Sequence, residues 1–591
     1  MQPRRREAVL VGLVVIAAFA PVLAAGRAIA DDWVPISDNG AIAVHTLDVF
    51  SSDTPLVGVR TTLGGPEYDG RVRHLGPLEF WALAIPARLA GGEAWGILVG
   101  VALVGVASLV AVGWASGRTT GIPGAAWALG LVVLACWSLG RQLLADPWNP
   151  HVAVLPLAAA LFLAWACVAG DGWALPPLAL AVSFAAQAHL LYVPMALLLL
   201  VVATAAVTRQ GGPRQLAVTA AVLLTVWLFP IWEQITNRPG NFVEVSRAWR
   251  ADDQAGVSWQ YAFRAVARAI GLVPLFGRPA RPFEYFGTPL SALALSSAIA
   301  VVAGLVVLTV LSVRRRDRLA WAAGVVALAA LAVTTFTTAQ VPHGYGDVAF
   351  YHMLALWPVG CFAWFALGLL AVRTVPFPAV ARRLAVGAGL LLLVVSAPAV
   401  AFADSPFDVD QRNMEAVRAL VRQVEPALDD LDEPVRIDTV GEPYDAVLYG
   451  LVYELRRRGI DARVGARDVY IRRQHAAPDD APALVVRVGD DRAELGVDAR
   501  HLASYRTWSE SDVRMLAGLD RQLRAWLDAS GVDQVRGRDP SELYHDGTLV
   551  RLAVDGELVF DDERRELLKR YLDLRYEIEE LVFDAYLVPG P

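Results

Sequence analysis

The sequence predicts a mostly α-helical membrane protein: a polytopic bundle of about eleven spans followed by a C-terminal extracytoplasmic α/β domain. Three observations predict it. Of the 591 residues, 55% are hydrophobic, and the mean hydropathy is +0.44, too apolar for a soluble globular chain. The apolar residues gather in long Leu/Val/Ala runs between residues 1 and 403, and from Asp404 onward the chain reads as an ordinary charged domain. Charge divides at the same place: residues 404–591 hold 26 Arg plus Lys against 40 Asp plus Glu, although the whole chain nets only −7. The predicted domains are therefore 1–403 and 404–591, and an acidic tail excludes nucleic acid as its partner. Cys136, Cys167 and Cys361 all lie inside apolar runs, so no disulfide framework is predicted.

The runs that predict spans are 8–29, 92–114, 123–143, 151–169, 174–188, 190–208, 215–231, 290–312, 319–338, 351–372 and 384–402. The first follows Arg4-Arg5-Arg6 and is read as a retained signal-anchor helix because further spans follow it. Segment 76–90, carrying Glu79 and Arg88, is too short to span and reads as an amphipathic interfacial helix. Arginine-rich short loops mark the cytoplasmic side. With alternating spans, Arg4-Arg5-Arg6, Arg118, Arg209 with Arg214, Arg314-Arg315-Arg316 with Arg318, and Arg373 with Arg382-Arg383 share one side. The chain is thus expected in the plasma membrane, with its N-terminus cytoplasmic and its tail outside.

That threading puts segments 30–91, 144–150, 232–289 and 339–350 outside. Asp38 lies just past the first span, in Ser37-Asp38-Asn39-Gly40, where a carboxylate near the hydrocarbon edge is costly and points to function. The apolar-periodic stretch after it places Asp38 at the N-terminal end of an amphipathic helix, where backbone amides favour its ionised form. Asp38 is the candidate catalytic residue, and Asp48, ten residues on, is a weaker one. Candidate phosphate ligands are Arg71, Arg73, His74, Arg141, His189 and His343, with Arg141 and His74 foremost. Candidate sugar or acceptor contacts are Asp146, Trp148, Asn149, Gln187, Glu233, Asn241, Tyr345 and Asp347. Each also has a plainer reading. Outer-loop acids are mostly solvated, Gln187 and His189 can tie helices together, and interfacial aromatics anchor at the headgroups.

This layout resembles the integral-membrane GT-C glycosyltransferase superfamily, which includes protein mannosyltransferases, the aminoarabinose transferase of lipid A, and actinobacterial cell-wall arabinofuranosyl- and mannosyltransferases. There an acidic motif follows helix one, and an interfacial helix opening on His-Pro-(Gly)-Pro-Leu-aromatic precedes helix two. Ser37-Asp38-Asn39-Gly40 fills the first role, and His74-Leu75-Gly76-Pro77-Leu78-Glu79-Phe80-Trp81 the second. The family's second acidic position is Asn39 here. The segments Asp146-Pro147-Trp148-Asn149-Pro150 and Glu233-Gln234 with Pro239-Gly240-Asn241 are similar to actinobacterial members.

The resemblance implies a polyprenyl-phosphate-linked sugar as donor and an envelope glycan, lipid or protein as acceptor. A phosphate leaves without a general acid, so one carboxylate suffices as base on the acceptor hydroxyl, with inversion; glycoside hydrolases need two. Cations would hold the departing phosphate. No HxH, HExxH or acidic ligand spacing appears, so neither a divalent metal nor any other cofactor is expected. Two other classes remain: a transporter or flippase for lipid-linked glycans, which would favour inverted repeats and mid-membrane charge, and a non-catalytic partner that keeps the fold.

In the tail, helices are predicted at 411–428, 444–458 and about 562–583, and strands at 435–440 and 483–488, giving a βαβ start. Gly441-Glu442-Pro443 lacks the spacing and lysine of a phosphate loop, and the domain is expected to bind acceptor or act as a scaffold.

Overall fold

The computed structural model describes residues 3–64, 71–251, 256–281, 284–342, 348–404, 411–429, 431, 433–441, 447–465, 475–488, 498–506, 508–579 and 582–590. The chain is mostly helical, with apolar helices in its first two thirds and one mixed sheet in the tail. The predicted fold class holds.

The chain opens with α1 (Pro3–Ala30), the short α2 (Ser37–Asp48) and α3 (Leu78–Leu89). α3 is the predicted interfacial helix. Its Glu79, Phe80, Leu83 and Ala87 are buried, while Ile85 and Leu89 face outward. Next comes α4 (Ala94–Leu139), whose 46 residues are about twice what one crossing needs. Gly121, at φ +76°, breaks it into two helices, as the two predicted spans require. Short α5 (Arg141–Ala145) and α6 (Asn149–Val152) lead into α7 (Val154–Ala169). α7 is buried along nearly its whole length, because a helix apolar on every side belongs inside a bundle.

α8 (Leu175–Ala188) is short and carries prolines in its first turn, where a missing N–H leaves no bond unmade. After it come α9 (Val193–Arg209), α10 (Pro213–Val226), α11 (Leu228–Thr236), α12 (Asn241–Ala251) and α13 (Trp259–Ile270). α14 (Ala292–Arg314), α15 (Arg318–Ala339), α16 (Leu356–Thr374) and α17 (Ala379–Ala399) complete the apolar part. Among the described residues, eight helices are long and apolar enough to cross a membrane, and the pair α10–α11, bent by 52°, makes a ninth. Dividing α4 at Gly121 and adding the short α8 accounts for the eleven predicted runs.

The ends of these helices sort as the alternating threading requires. Arg6 donates to Gly117 O, Arg118 pairs with Asp171, Arg318 donates to Val168 O, and Arg373 pairs with Asp317. These contacts gather the arginine-bearing loops at one end of the bundle. At the other end Arg141 reaches both Asp31 and Asp404, Ala280 N donates to Ser138 O, and Asn241 meets Arg73.

The tail begins with α18 (Gln411–Leu428), β1 (Val435–Val440), α19 (Leu448–Arg457), β2 (Ala462–Val464), β3 (Ala483–Val488) and β4 (Arg500–Arg506). α20 (Glu510–Ala529), α21 (Pro540–His545), α22 (Thr548–Asp555) and α23 (Asp562–Glu579) then form a helical insertion before β5 (Val582–Val588). The strand order is β2-β1-β3-β5-β4. β1 is parallel to β2 and β3, and β5 is antiparallel to β3 and β4. The predicted strands 435–440 and 483–488 are β1 and β3, which pair in parallel with α19 between them in the chain. The short β2, which follows α19 and pairs on the other side of β1, was not predicted. The expected closing helix over 562–583 stops at Glu579 instead. Val582 to Val588 alternates Phe583 and Ala585 inward and is zipped between β3 and β4, a pairing no local pattern could announce. Predicted helix residues 444–446 lie outside the described residues.

The apolar cores do not divide at residue 403. One cluster joins Ile36, Ile42 and Val44 around α2 and Phe80 and Leu83 of α3 to Val417, Leu420, Tyr449 and Val452 of the tail. A separate cluster holds the helical insertion together around Leu523, Leu549 and Leu568, with Tyr285 joining it from an outer segment.

Candidate active site

Asp38 sits in the first turn of α2, half-buried. The helix starts after an extended Ile36, and Ser37 lies at φ +49°, a left-handed backbone that a non-glycine residue adopts only when its surroundings impose it. The Trp148 indole N–H donates to Asp38 Oδ2 at 2.7 Å. Asn39 Nδ2 donates to Asp146 Oδ1 at 2.6 Å, and the Trp148 backbone N–H donates to the same oxygen at 3.1 Å. The other Asp146 oxygen lies 2.7 Å from His151 Nδ1. Asn39, in place of a second acid, therefore ties the two carboxylate-bearing segments together.

An aromatic wall continues from there. Trp148 stands edge-on to Tyr351 at 5.1 Å, Tyr351 to His189 at 5.7 Å, and His189 tilts against His74 at 4.6 Å. Asp38, Trp148, Tyr351, His189 and His74 thus form one run, contributed by five separate segments. Leu190 N donates to His74 Nδ1 at 3.2 Å and Leu191 N to His189 Nδ1 at 3.2 Å. Each ring therefore accepts at Nδ1 and carries its proton on Nε2. Burial pushes the His74 pKa down to about 3. At neutral pH His74 presents an N–H and carries no positive charge, a correction to its expected role as a cation.

Other predicted residues hold the frame. Gln187 is fully buried; its Oε1 accepts from Leu78 N at 3.3 Å and its Nε2 donates to Val226 O at 2.8 Å, the helix-tying role that was its plainer reading. A Cβ on Gly76 would lie 2.1 Å from Gln187 Oε1, so only glycine admits this contact. Asn149 Nδ2 donates to Ala188 O at 2.8 Å. Glu233 accepts from Asn241 N, and the Asn241 side chain brackets Arg73 through its N–H and its carbonyl, both at 3.0 Å. Arg141 bridges Asp31 at 2.6 Å and Asp404 at 2.8 Å, so its guanidinium joins the ends of α1 and α17. Arg71 is exposed on a short hairpin in which His74 N donates to Val59 O. Asp48, at the far end of α2, is buried against the tail and pairs with His475 and Arg456. His343, Tyr345 and Asp347 lie outside the described residues.

Sequence reasoning missed His151, Tyr351 and Glu79. His151 and Tyr351 open apolar runs and so read as span residues, although the spacing of Asp146 and His151 was visible. Glu79 is buried in α3, and its Oε1 has no hydrogen-bond partner among the described residues. Burial, and secondarily the charge on Asp146, push its carboxyl well above the usual range. Among the described residues no group of three His, Cys, Asp or Glu side chains is gathered as for a metal ion.

No protein-family model and no curated protein matches the chain. Among solved structures it is similar to ArnT from Cupriavidus metallidurans bound to undecaprenyl phosphate, at 16% identity and a TM-score of 0.48, covering 85% of this chain and 96% of that one. The apo state of the same protein gives 16% identity and a TM-score of 0.45, covering 80% and 92%. Both scores lie below 0.5, and the functional reading stands on the geometry of this chain.

Proposed function

We propose that this chain is a membrane glycosyltransferase of the GT-C type, with Asp38 as general base. It moves a sugar from a polyprenyl-phosphate donor to an envelope glycan, lipid or protein acceptor outside the plasma membrane. The observation that carries this reading is the run from Asp38 through Trp148 and Tyr351 to His189 and His74. A half-buried carboxylate, aromatic faces and two imidazole N–H donors stand together at one end of an apolar helical bundle.

The indole N–H on Oδ2 favours the ionised carboxylate. That carboxylate takes the proton from the acceptor hydroxyl as its oxygen attacks the anomeric carbon. The bond from that carbon to the phosphate oxygen breaks, polyprenyl phosphate departs with the bonding electrons, and the configuration inverts. Aromatic faces suit the apolar faces of a sugar ring, and the Nε2–H groups suit its hydroxyls or the phosphate oxygens. Arg71 and Arg73 supply positive charge at that end, and the step draws on no metal or other cofactor. The actinobacterial arabinofuranosyl- and mannosyltransferases are the members this reading favours. The acidic tail, carried on the same end, lies outside with the acceptor, and the arginine-rich end with the N-terminus lies in the cytoplasm.

The test is transfer in vesicles from radiolabelled polyprenyl-phosphate mannose or arabinose, comparing the wild-type protein with Asp38→Asn. The reading requires label to reach an acceptor with the wild type and to fall to background with D38N. Equal labelling by the two proteins would instead favour a flippase or a non-catalytic partner.

A further inference from the structure

We propose that the tail is part of the catalytic apparatus: α19 and the turn at His475 grip α2 at two points and so fix the Asp38 carboxylate, making Gly450, Arg456 and His475 positioning residues. This rests on Asp38 being the reacting carboxylate.

The first grip lies two residues beyond Asp38. A Cβ on Gly40 would come within 2.7 Å of the Tyr449 carbonyl carbon and 2.8 Å of Gly450 N. A Cβ on Gly450 would come within 2.9 Å of Pro35 O and 3.1 Å of Ile36 Cγ2. Two backbones thus touch through facing glycines immediately beside the turn that bears Asp38. The second grip is at the other end of the same helix. Asp48 is 2% exposed and accepts from His475 Nε2 at 2.8 Å, with Arg456 Nη2 at 3.3 Å from its other oxygen. Arg456 Nη1 lies 3.2 Å from His475 Nδ1, which leaves the His475 proton on Nε2, facing the carboxylate. The His475 turn is itself fixed, because Ala477 N donates to Val464 O at 2.9 Å at the end of β2.

α19 has its own footing on the membrane part. Tyr453 Oη donates to Gly92 O at 2.6 Å, and Arg457 Nη1 reaches Glu93 Oε1 at 2.7 Å, both in the turn between α3 and α4. α19 can therefore hold α2 against a fixed reference. The apolar packing of Ile42 and Val44 against the tail supplies burial but little register. A buried ion pair adds little net stability, and its best-attested use is to set register. Each residue of slip turns a helix by about 100°, which would swing Asp38 off the Trp148 indole. A misplacement of about 1 Å is enough to cost about a hundredfold in rate.

The experiment uses the full chain in lipid vesicles, with polyprenyl-phosphate mannose and arabinose as donors. The variants are His475→Ala, Gly450→Ala and His475→Gln, the last retaining a side-chain N–H for Asp48; D38N serves as the zero. H475A and G450A are expected to lower kcat about 10- to 100-fold while the donor KM stays within about twofold, and H475Q to recover most of the loss. Hydrogen exchange provides a readout independent of turnover: in H475A and G450A the amides of α2 from Gly40 onward, where Gly40 N donates to Ile36 O, should lose protection, with α7 unchanged. If protection at α2 is unchanged in both alanine variants, or if H475Q is as impaired as H475A, the grip is refuted. A wild type that transfers from neither donor would refute the role of Asp38, and α2 exchange alone would then decide whether the tail holds that helix.

Discussion

At one end of the membrane bundle arginines close the helices; at the other, acids, an amide, an indole and imidazoles close around each other. At the arginine end many of the contacts satisfy a helix terminus. Arg6 and Arg318 donate to the carbonyls of Gly117 and Val168, near helix C-terminal ends. Asp317 accepts from Ala320 N and Asp171 from Trp173 N at helix starts, while each also holds an arginine. Orphan carbonyls and amides, the helix dipole and exposed ion pairs account for these contacts. At the other end Asp146 and His189 also accept from backbone N–H groups at helix starts. Asp38 and Asp146 are held in addition by the Trp148 indole, Asn39 and His151, side-chain contacts that no helix terminus needs. Charged residues in membrane proteins are costly wherever they stand, so the difference in partners, more than the presence of charge, separates structure from chemistry.

The comparison breaks most visibly through one acid from each end. With the proposed general-base role, Asp38→Asn is expected to lower the transfer rate about 10²- to 10⁴-fold, the usual contribution of such a group. Asp317→Asn, which keeps the cap on Ala320 N and gives up the ion pair with the half-exposed Arg373, should leave kcat within about twofold and lower thermal stability by under about 1 kcal/mol. Initial rates and melting curves on both purified proteins check this. A D317N enzyme as impaired as D38N would erase the distinction.

Asp146 sharpens it. Its oxygens take hydrogen bonds from Asn39 and the Trp148 backbone, with His151 on the other side. An amide at that position cannot accept on both sides. Asp146→Asn should therefore lower kcat about 10-fold by loosening the segment that presents Trp148 to Asp38, with less effect on the donor KM. Steady-state kinetics distinguish this from a binding defect.

Much of the membrane part was legible because a span must bury every backbone polar group in a continuous helix, so composition alone reveals it. Asp38, Trp148 and His74 were visible as polar residues beside such spans. What stayed hidden was pairing. Nothing near Arg141 in sequence names Asp404 as its partner, nothing near Asn39 names Asp146, and the alternation in Val582–Val588 competes with a helical pattern just before it. Glu79 and Tyr351 were hidden for a related reason: a polar residue inside an apolar run reads as a tolerated exception until its neighbours are known.

His74 supplies a pH test of the same end. Burial holds its pKa at about 3, against an ordinary value of 6.5, so the unfolded chain binds this proton more readily than the folded one. Stability from this site is intact above about pH 6.5 and falls as the pH drops toward 3. Between pH 7 and 5 the wild type should lose about 2 kcal/mol more than His74→Asn does. Unfolding in detergent at the two pH values measures the difference, and equal losses in both proteins would show that the imidazole is not sealed from water.

The smallest effect belongs to the arginine end, and its smallness is the point. Arg118 and Asp171 approach to 2.5 Å, but the Arg118 side chain is 52% exposed. Exposed pairs contribute about 0–1 kcal/mol, because water screens the attraction and the arginine gives up its freedom to make it. Asp171 keeps its hydrogen bond from Trp173 N when the arginine is gone, so no buried charge is stranded. Arg118→Gln should therefore shift unfolding by under about 1 kcal/mol, and less still at high salt. Transfer should be unchanged. A loss of activity in R118Q with the fold intact would mean that the two ends are coupled through the bundle, and the separation of structural from reactive charge would have to be abandoned.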